Sequence, residues 1–181
     1  YADLDGDGKI TSADQTWIFD PVPAFSYGLN VALTYKNFDF TVFWQGVYNQ
    51  DVYNNQKFQT DFWSITDPGS NKGNRMLGAW TTDNRTSTIP ALTIRNNADE
   101  GRASSYFVEN GSYLKLRTLQ LGYNLPVSLL SNLLMTSARV YISGQNLLSI
   151  KSNSLTCSDP ENPNWNYPIP TSVSFGLQVG F

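Results

Sequence analysis

Polar and apolar residues alternate along five stretches of this chain, and alternation with a period of two predicts β-strands with two unlike faces. In the first, Phe25, Tyr27, Leu29, Val31, Leu33 and Tyr35 share one face, and Ser26, Gly28, Asn30, Ala32 and Thr34 share the other. Lys36-Asn37 interrupts the pattern, which resumes with Phe38, Phe40, Val42 and Trp44 against Asp39, Thr41 and Gln45; Phe43 breaks the polar face. A two-residue hairpin pairs its flanking residues, so Tyr35 and Phe38 are expected opposite each other on one face. Both are aromatic, so turn and pattern agree on register. A third strand is expected over about 112–124, where Leu114 and Leu116 give way to Leu119, Leu121 and Tyr123 on the other parity. A bulge near Arg117-Thr118 reconciles the two phases. A fourth strand, over about 137–147, sets Ala138, Val140 and Ile142 opposite Arg139, Tyr141 and Ser143. The last sets Val173, Phe175, Leu177, Val179 and Phe181 opposite Ser174, Gly176, Gln178 and Gly180.

A strand with one apolar face and one small, polar face suits a wall between lipid and a watery or protein-filled interior. The connections support this. Those at 36–37 and 125–136 are short, and those at 1–24, 49–110 and 150–169 are long. Outer-membrane barrels alternate short periplasmic turns with longer extracellular loops, and a soluble sandwich has no reason to. Five strands cannot close a barrel, since roughly eight are the minimum, so the chain is expected to be the C-terminal piece of something longer. No helix is predicted beyond one turn within 127–134, and 49–110 shows little periodicity.

Composition narrows the function classes. Of 181 residues, 15% are charged and 14% aromatic, a balance suited to a barrel with aromatic girdles. The net charge is −3 with no basic run, which argues against nucleic acid. There is no His, the commonest general base, and the single Cys157 has no partner for an internal disulfide. No apolar run is long enough for a transmembrane helix. Asp99 and Glu100 could be taken for a glycosidase pair, but nothing places two carboxylates across a cleft, and no catalytic residue is assigned.

One motif carries specific chemistry. Asp3, Asp5, Asp7, Gly8, Ile10 and Asp14 form D-x-D-x-D-G-x-I-x-x-x-D. In an EF-hand-type loop, alternate carboxylates converge on a hard cation and the glycine takes the sharp turn. Asp3, Asp5 and Asp7 would supply side-chain oxygens, Lys9 its carbonyl, Thr11 a water-mediated contact, and Asp14 the last position, where its reach is shorter than that of the usual Glu. Ile10 would plug the loop onto apolar surface. The expected role of calcium is structural.

Four stretches together resemble the C-terminal region of SusC/RagA-type TonB-linked outer-membrane proteins of Bacteroidetes. They are Asp3-Leu-Asp-Gly-Asp-Gly-Lys-Ile running on to Pro21-Val-Pro-Ala-Phe-Ser-Tyr-Gly-Leu-Asn; Tyr35-Lys-Asn-Phe-Asp-Phe-Thr-Val-Phe-Trp-Gln-Gly; Asn110-Gly-Ser-Tyr-Leu-Lys-Leu-Arg-Thr-Leu-Gln-Leu-Gly-Tyr-Asn-Leu-Pro; and Ala138-Arg-Val-Tyr-Ile-Ser-Gly-Gln-Asn-Leu-Leu, with Tyr167-Pro-Ile-Pro and Phe181 after it. The long stretch 49–110 matches less well.

The resemblance implies an all-β fold: the last five or so antiparallel strands of a transmembrane barrel of about 22 strands, with long extracellular loops. Residues 1–24 would form an extracellular loop carrying the calcium motif, and 25–181 the C-terminal barrel strands. It implies import of oligosaccharides or peptides across the outer membrane of a Gram-negative bacterium, energised through the TonB complex, with a SusD-like surface lipoprotein as lid. Trp63, Trp80 and Trp165 lie in expected extracellular loops, where an indole can stack on a sugar ring or pack loop against loop. Lys115, Arg117 and Arg139 are expected to face the lumen and pair with acidic groups there. Tyr35, Phe38, Tyr123 and Phe181 would form a periplasmic aromatic girdle. The competing reading is a secreted glycan-binding β-sandwich behind a dockerin-like calcium segment.

Overall fold

In a computed structural model, residues 1–62, 71–93, 99–130, 135–164 and 166–181 are described. They form two compact units, one of Val22–Gln50, Asn110–Leu155 and Tyr167–Phe181, the other of Tyr1–Pro21, Asp51–Glu109 and Thr156–Asn166.

The first unit is a sheet. Its strands are β1 (Phe25–Tyr35), β2 (Phe38–Tyr48), β5 (Tyr113–Asn124), β6 (Ser137–Lys151) and β7 (Ser172–Gly180). They lie in the order β1-β2-β5-β6-β7, every neighbouring pair antiparallel. This is an up-and-down meander that does not close. The expected hairpin register holds: Tyr35 pairs with Phe38 across Lys36-Asn37, and Lys36 takes the left-handed backbone conformation at φ 53°. The expected bulge also holds. Phe43 faces Thr118 and Trp44 faces Leu116, leaving Arg117 as the extra residue. One inserted residue returns Leu119, Leu121 and Tyr123 to the face that Leu114 and Leu116 occupy. Strand β6 carries its own irregularity opposite the bulge, where Asn146 turns left-handed at φ 51°.

The apolar residues of all five strands therefore share one face, and most of it is bare. Leu29, Leu33, Phe175 and Leu177 are exposed, Phe175 by 81%. A soluble sandwich would bury such a face against a second sheet. The only other sheet among the described residues is a two-stranded ribbon of β3 (Asp51–Tyr53) and β4 (Val108–Asn110), too short for that task.

The second unit is held by an aromatic core that the absence of periodicity in 49–110 did not predict. It contains β3, helix α1 (Gln56–Thr60), a 3-10 turn at Asn74–Gly78, another at Ser105–Phe107, and most of β4. Phe107 is fully buried at its centre. The Phe58 ring stacks on it at 4.2 Å, with Tyr53, Phe62 and Tyr106 at 5.4, 5.6 and 5.4 Å. The expected turn after Pro126 is present as α2 (Val127–Leu130).

Candidate functional site

The sheet itself is the largest functional feature. Each spanning strand has 9 to 15 residues, and β1 and β2 have 11 each. A tilted strand of about 9–11 residues crosses the hydrocarbon core of a bilayer. Aromatic pairs mark both ends of the β1-β2-β5 wall. At one end Phe38 meets Tyr123 at 4.7 Å, beside Tyr35, which brings together three of the four residues expected in the girdle. At the other, which the sequence reading missed, Phe25 stacks on Tyr48 at 5.1 Å. Such rings sit at the water–lipid boundary, where one edge is wet and the body is apolar.

The opposite face is polar and internally bonded. Arg139 Nε donates to Asp39 Oδ1 at 2.9 Å, and its Nη2 completes a two-pronged contact with the same carboxylate. Arg117, carried by the bulge, donates from Nε to Gln45 Oε1 at 2.9 Å and from Nη1 to Asn146 Oδ1 at 3.3 Å. Arg139 thus finds an acidic partner, as expected, two strands away, whereas Arg117 bonds to side-chain amide oxygens of its neighbouring strands rather than to an acid; Lys115, on the same polar face, is buried. Phe43 lies on this face too, its ring against Gly28. The polar wall is cross-linked rather than merely wet.

The acidic loop is built as its spacing predicts. Gly6 and Gly8 adopt φ of +79° and +81°, which turn the chain back on itself. One carboxylate oxygen each from Asp3, Asp5 and Asp7 comes within 4.8 Å of the others. Asp3 accepts the amides of Gly6 at 2.6 Å and Gly8 at 2.8 Å, and Asp7 that of Lys9 at 2.7 Å. The Gly8 amide foremost, then that of Gly6, holds the Asp3 carboxyl below the ordinary aspartate range. Asp14 stands apart. Its two oxygens accept the Thr11 and Leu4 amides, both at 2.7 Å, closing a capping box on the short turn Ser12–Asp14. The converged set is all hard oxygen, the donor type that calcium takes. Ile10 does not plug the loop. It remains 43% exposed and, with Leu4, lines a cleft.

Of the three tryptophans, Trp80 presents its indole at 41% exposure, with its backbone N–H bonded to Ile89. Trp63 and Trp165 lie outside the described residues.

Sequence reasoning missed a buried charge network in the second unit. Asp61, 1% exposed, accepts Arg75 Nε at 2.8 Å, Arg75 Nη2 at 2.7 Å, Thr60 Oγ1 at 2.7 Å and Tyr106 Oη at 2.6 Å. Glu109 pairs with Lys57 at 2.9 Å and accepts Asn54 Nδ2, the Thr156 amide and the Thr156 hydroxyl. Burial pushes the Glu109 carboxyl up, but the two bonds from Thr156, then Lys57 and Asn54, outweigh it and hold the group below its ordinary value. Burial raises the Tyr106 phenol, and its bond to the Asp61 carboxylate raises it further. Two acids and two bases in one cluster cancel, so the network is neutral as well as satisfied. The only signal in the sequence was charged residues set among aromatics, as in Tyr106-Phe-Val-Glu, and that pattern has no periodicity.

Comparison with known proteins fits this geometry. No family profile matches the chain. TonB-dependent receptor P3 of Formosa agariphila is 37% identical over 184 residues, covering 99% of this chain and 17% of that protein. TonB-dependent receptor P26 of the same species is 32% identical over all of this chain and 19% of its own length. TonB-dependent receptor SusC of Bacteroides thetaiotaomicron is 30% identical over all of this chain and 17% of its own. The chain thus spans less than a fifth of these relatives. Among solved structures, the RagAB peptide importer in its "closed-closed" state superposes with a TM-score of 0.77 and 25% identity, over 100% of this chain and 20% of the matched one. The "open-open" state gives 0.72 and 26%, over 88% and 17%. Bare apolar face, aromatic ends, bonded polar face and end-to-end similarity agree: the chain corresponds to the C-terminal barrel region of the SusC/RagA-type TonB-dependent receptors, β-barrel proteins of the outer membrane in Gram-negative Bacteroidetes.

Proposed function

We propose that the receptor to which this region belongs imports nutrients across the outer membrane in a TonB-dependent manner. The cargo is an oligosaccharide or a peptide, and a SusD-like surface lipoprotein covers the mouth. The observation that carries this reading is the end-to-end similarity of the chain to SusC and to the RagAB peptide importer. The two-faced sheet supports it, because a wall apolar outside and polar inside is what a transport barrel needs. The long segments 1–24, 49–110 and 150–169 would then lie on one side, with the calcium-type loop among them. Purification of the full-length receptor in detergent tests the reading. A barrel accompanied by a lipoprotein, with uptake abolished by deletion of TonB, is the expected outcome; a water-soluble protein without a barrel would refute it.

We further propose that the acidic loop holds calcium in a structural role. Three convergent carboxylates and a left-handed glycine at the turn are the supporting observations. Asp3, Asp5 and Asp7 would provide carboxylate oxygens, Lys9 its carbonyl and Thr11 a contact through water. Asp14 would secure the end of the loop through the Leu4 and Thr11 amides. The ion would offset mutual repulsion of the three aspartates and rigidify the loop.

A further inference from the structure

The turn between β5 and β6 is apolar where a turn leaving a barrel for water should be polar. From Asn124 to Ala138 the sequence holds no charged residue. Val127 and Leu129, both in α2, are 73% and 58% exposed, while Leu130 is buried. The ends of the turn are fixed. Leu129 N–H donates to the Pro126 carbonyl at 3.0 Å, and Leu125 N–H to the Ala138 carbonyl at 2.8 Å. Further on, Thr136 N–H donates to the Gly180 carbonyl of β7 at 2.8 Å. Two large apolar side chains are thus presented outward by a turn that is bonded to its own strands.

The surroundings of the turn follow from the sheet. α2 packs against β6, and the apolar face changes character there. Ala138 is buried, whereas Val140 and Ile142, further along the same face, are 43% and 39% exposed. The cover over Ala138 places the turn on the side that faces lipid, away from Arg139 and Asp39. The flanking strands are already in position, β2 beside β5 and β7 beside β6, so no further strand of a barrel comes between the turn and what lies outside it.

The lipid-facing wall continues into this turn. Tyr123, which meets Phe38, comes just before it in the chain. Asn124 N–H donates to the Asn37 carbonyl at 2.8 Å and so ties the turn to the other short turn, Lys36-Asn37. Lys36 is exposed, with Nζ 5.4 Å from the centre of the Tyr35 ring. Two apolar side chains, an aromatic belt and a cation at one rim make the composition of a segment that lies in the lipid–water boundary. A turn in water gains nothing from Val127 and Leu129, whereas entry into acyl chains takes their apolar surface out of water.

We propose that this rim is an interfacial anchor: Val127 and Leu129 enter the outermost acyl chains of the adjoining leaflet, and Lys36 lies among its phosphate headgroups. The inference rests on the outer-membrane assignment and not on the import reading. The anchor fixes the depth at which the strand ends sit in the bilayer.

The test uses the full-length receptor in phosphatidylcholine nanodiscs, with a small fluorescent amino acid at position 36, 127, 129 or 175. Heat-modifiable mobility checks that each variant has folded. Lipid brominated near the headgroup end of its chains should remove most emission at 127 and 129, as expected about 5–10 Å into the headgroup–acyl boundary. Lipid brominated near the chain ends should remove most emission at 175, in the middle of β7. Position 36 should lose emission to lipid carrying a nitroxide on its headgroup. Aqueous iodide should have little effect at 127 and 129. Quenching there by iodide and not by lipid puts the turn in water; quenching by neither puts it under protein, whether another part of the receptor, a partner or a second copy. Either result overturns the anchor, and so does a position 36 that the headgroup nitroxide leaves unquenched. Absence of lipid quenching at 175 as well would bring down the membrane assignment of the whole face.

Discussion

Arg139 on β6 reaches over β5 to Asp39 on β2, and it does so above Gly122. Asp39, Gly122 and Tyr141 occupy one row of the sheet, and Arg139, paired with Asn124 two residues along on the same face, reaches Asp39 diagonally across Gly122. A Cβ at position 122 would stand 2.4 Å from Asp39 Oδ1 and 2.5 Å from Arg139 Nη2. The glycine leaves the space in which a charged pair two strands apart can meet. Gly122→Val is therefore expected to separate the pair without displacing the strand, since both contacts are the ends of flexible side chains. The cost should be about 1 kcal/mol, given that both side chains are partly solvated. A double-mutant cycle on the full-length receptor in detergent checks it. Once Asp39→Asn is present, Gly122→Val should cost much less; full additivity would show that the glycine serves some other end.

The two faces of β7 should respond oppositely to charge. Phe175 pairs with Ile142, and Ser174 with Ser143, so neighbouring residues at mid-strand sample the two sides of the wall. Phe175→Arg places a cation on the lipid side, at a cost of about 2–4 kcal/mol near the midplane. Ser174→Arg enters the polar side and should be tolerated. Heat-modifiable mobility of the receptor in outer-membrane fractions reports folding directly. Equal tolerance at both positions would contradict the assignment of the bare face to lipid.

The legibility of the sequence follows from the same contrast. In β1, β2 and β5, one face meets hydrocarbon and the other polar groups, so alternation is enforced at nearly every position. The Tyr35–Phe38 pairing and the Arg117 bulge were readable because a slip of one residue would move every apolar side chain to the wrong face. The second unit has no such repeat. Its core is made by Phe58, Phe62 and Phe107, brought together from positions more than forty residues apart, and no local period announces such a contact. The acidic loop was legible because metal-type loops fix their ligands by spacing. Asp61 and Arg75 were not, because their pairing depends on how irregular segments pack. The cleft beside Ile10 was missed for a related reason: the sequence showed an apolar residue in the loop but not what would fail to cover it.

Acid should loosen the acidic loop. The Asp3 carboxyl is held below its ordinary value by the Gly8 and Gly6 amides, and that of Asp14 by the Thr11 and Leu4 amides. A depressed carboxylate contributes order that is present above the unfolded value, about 4, and is lost as pH falls through the lower folded value. Calcium would add to that order. Trypsin cleavage after Lys9 is a convenient report, since that residue is exposed. Cleavage should slow when millimolar calcium is added at neutral pH and quicken with a chelator. Asp5→Asn should abolish the difference, because it removes one carboxylate of the converged set. Cleavage insensitive to calcium in the wild type would count against the metal.

The buried network makes the sharpest prediction about the second unit. Asp61 is almost wholly enclosed and takes two bonds from Arg75, so removing the cation alone leaves an uncompensated charge in a poor dielectric. Arg75→Leu is expected to cost about 3–5 kcal/mol locally, as breaking one side of a buried pair does. Replacing both members, Arg75→Leu with Asp61→Leu, should recover part of that loss, because no charge remains to be desolvated; Tyr106 then forfeits its acceptor and keeps the recovery incomplete. Glu109→Gln tests the other half. It keeps the shape and the Asn54 and Thr156 neighbours but strands Lys57 without its counter-charge. The Glu109 carboxyl is also held low, so its contribution is present above about pH 4.3 and is lost as pH falls through its folded value. Hydrogen exchange of the amides of Asn54, Asp61 and Phe107, each bonded to backbone or placed in the core, reads local opening without requiring the barrel to unfold. Faster exchange in Arg75→Leu than in the double variant would confirm that charge burial, rather than lost packing, dominates. The reverse order would show that this unit is held chiefly by its aromatic core.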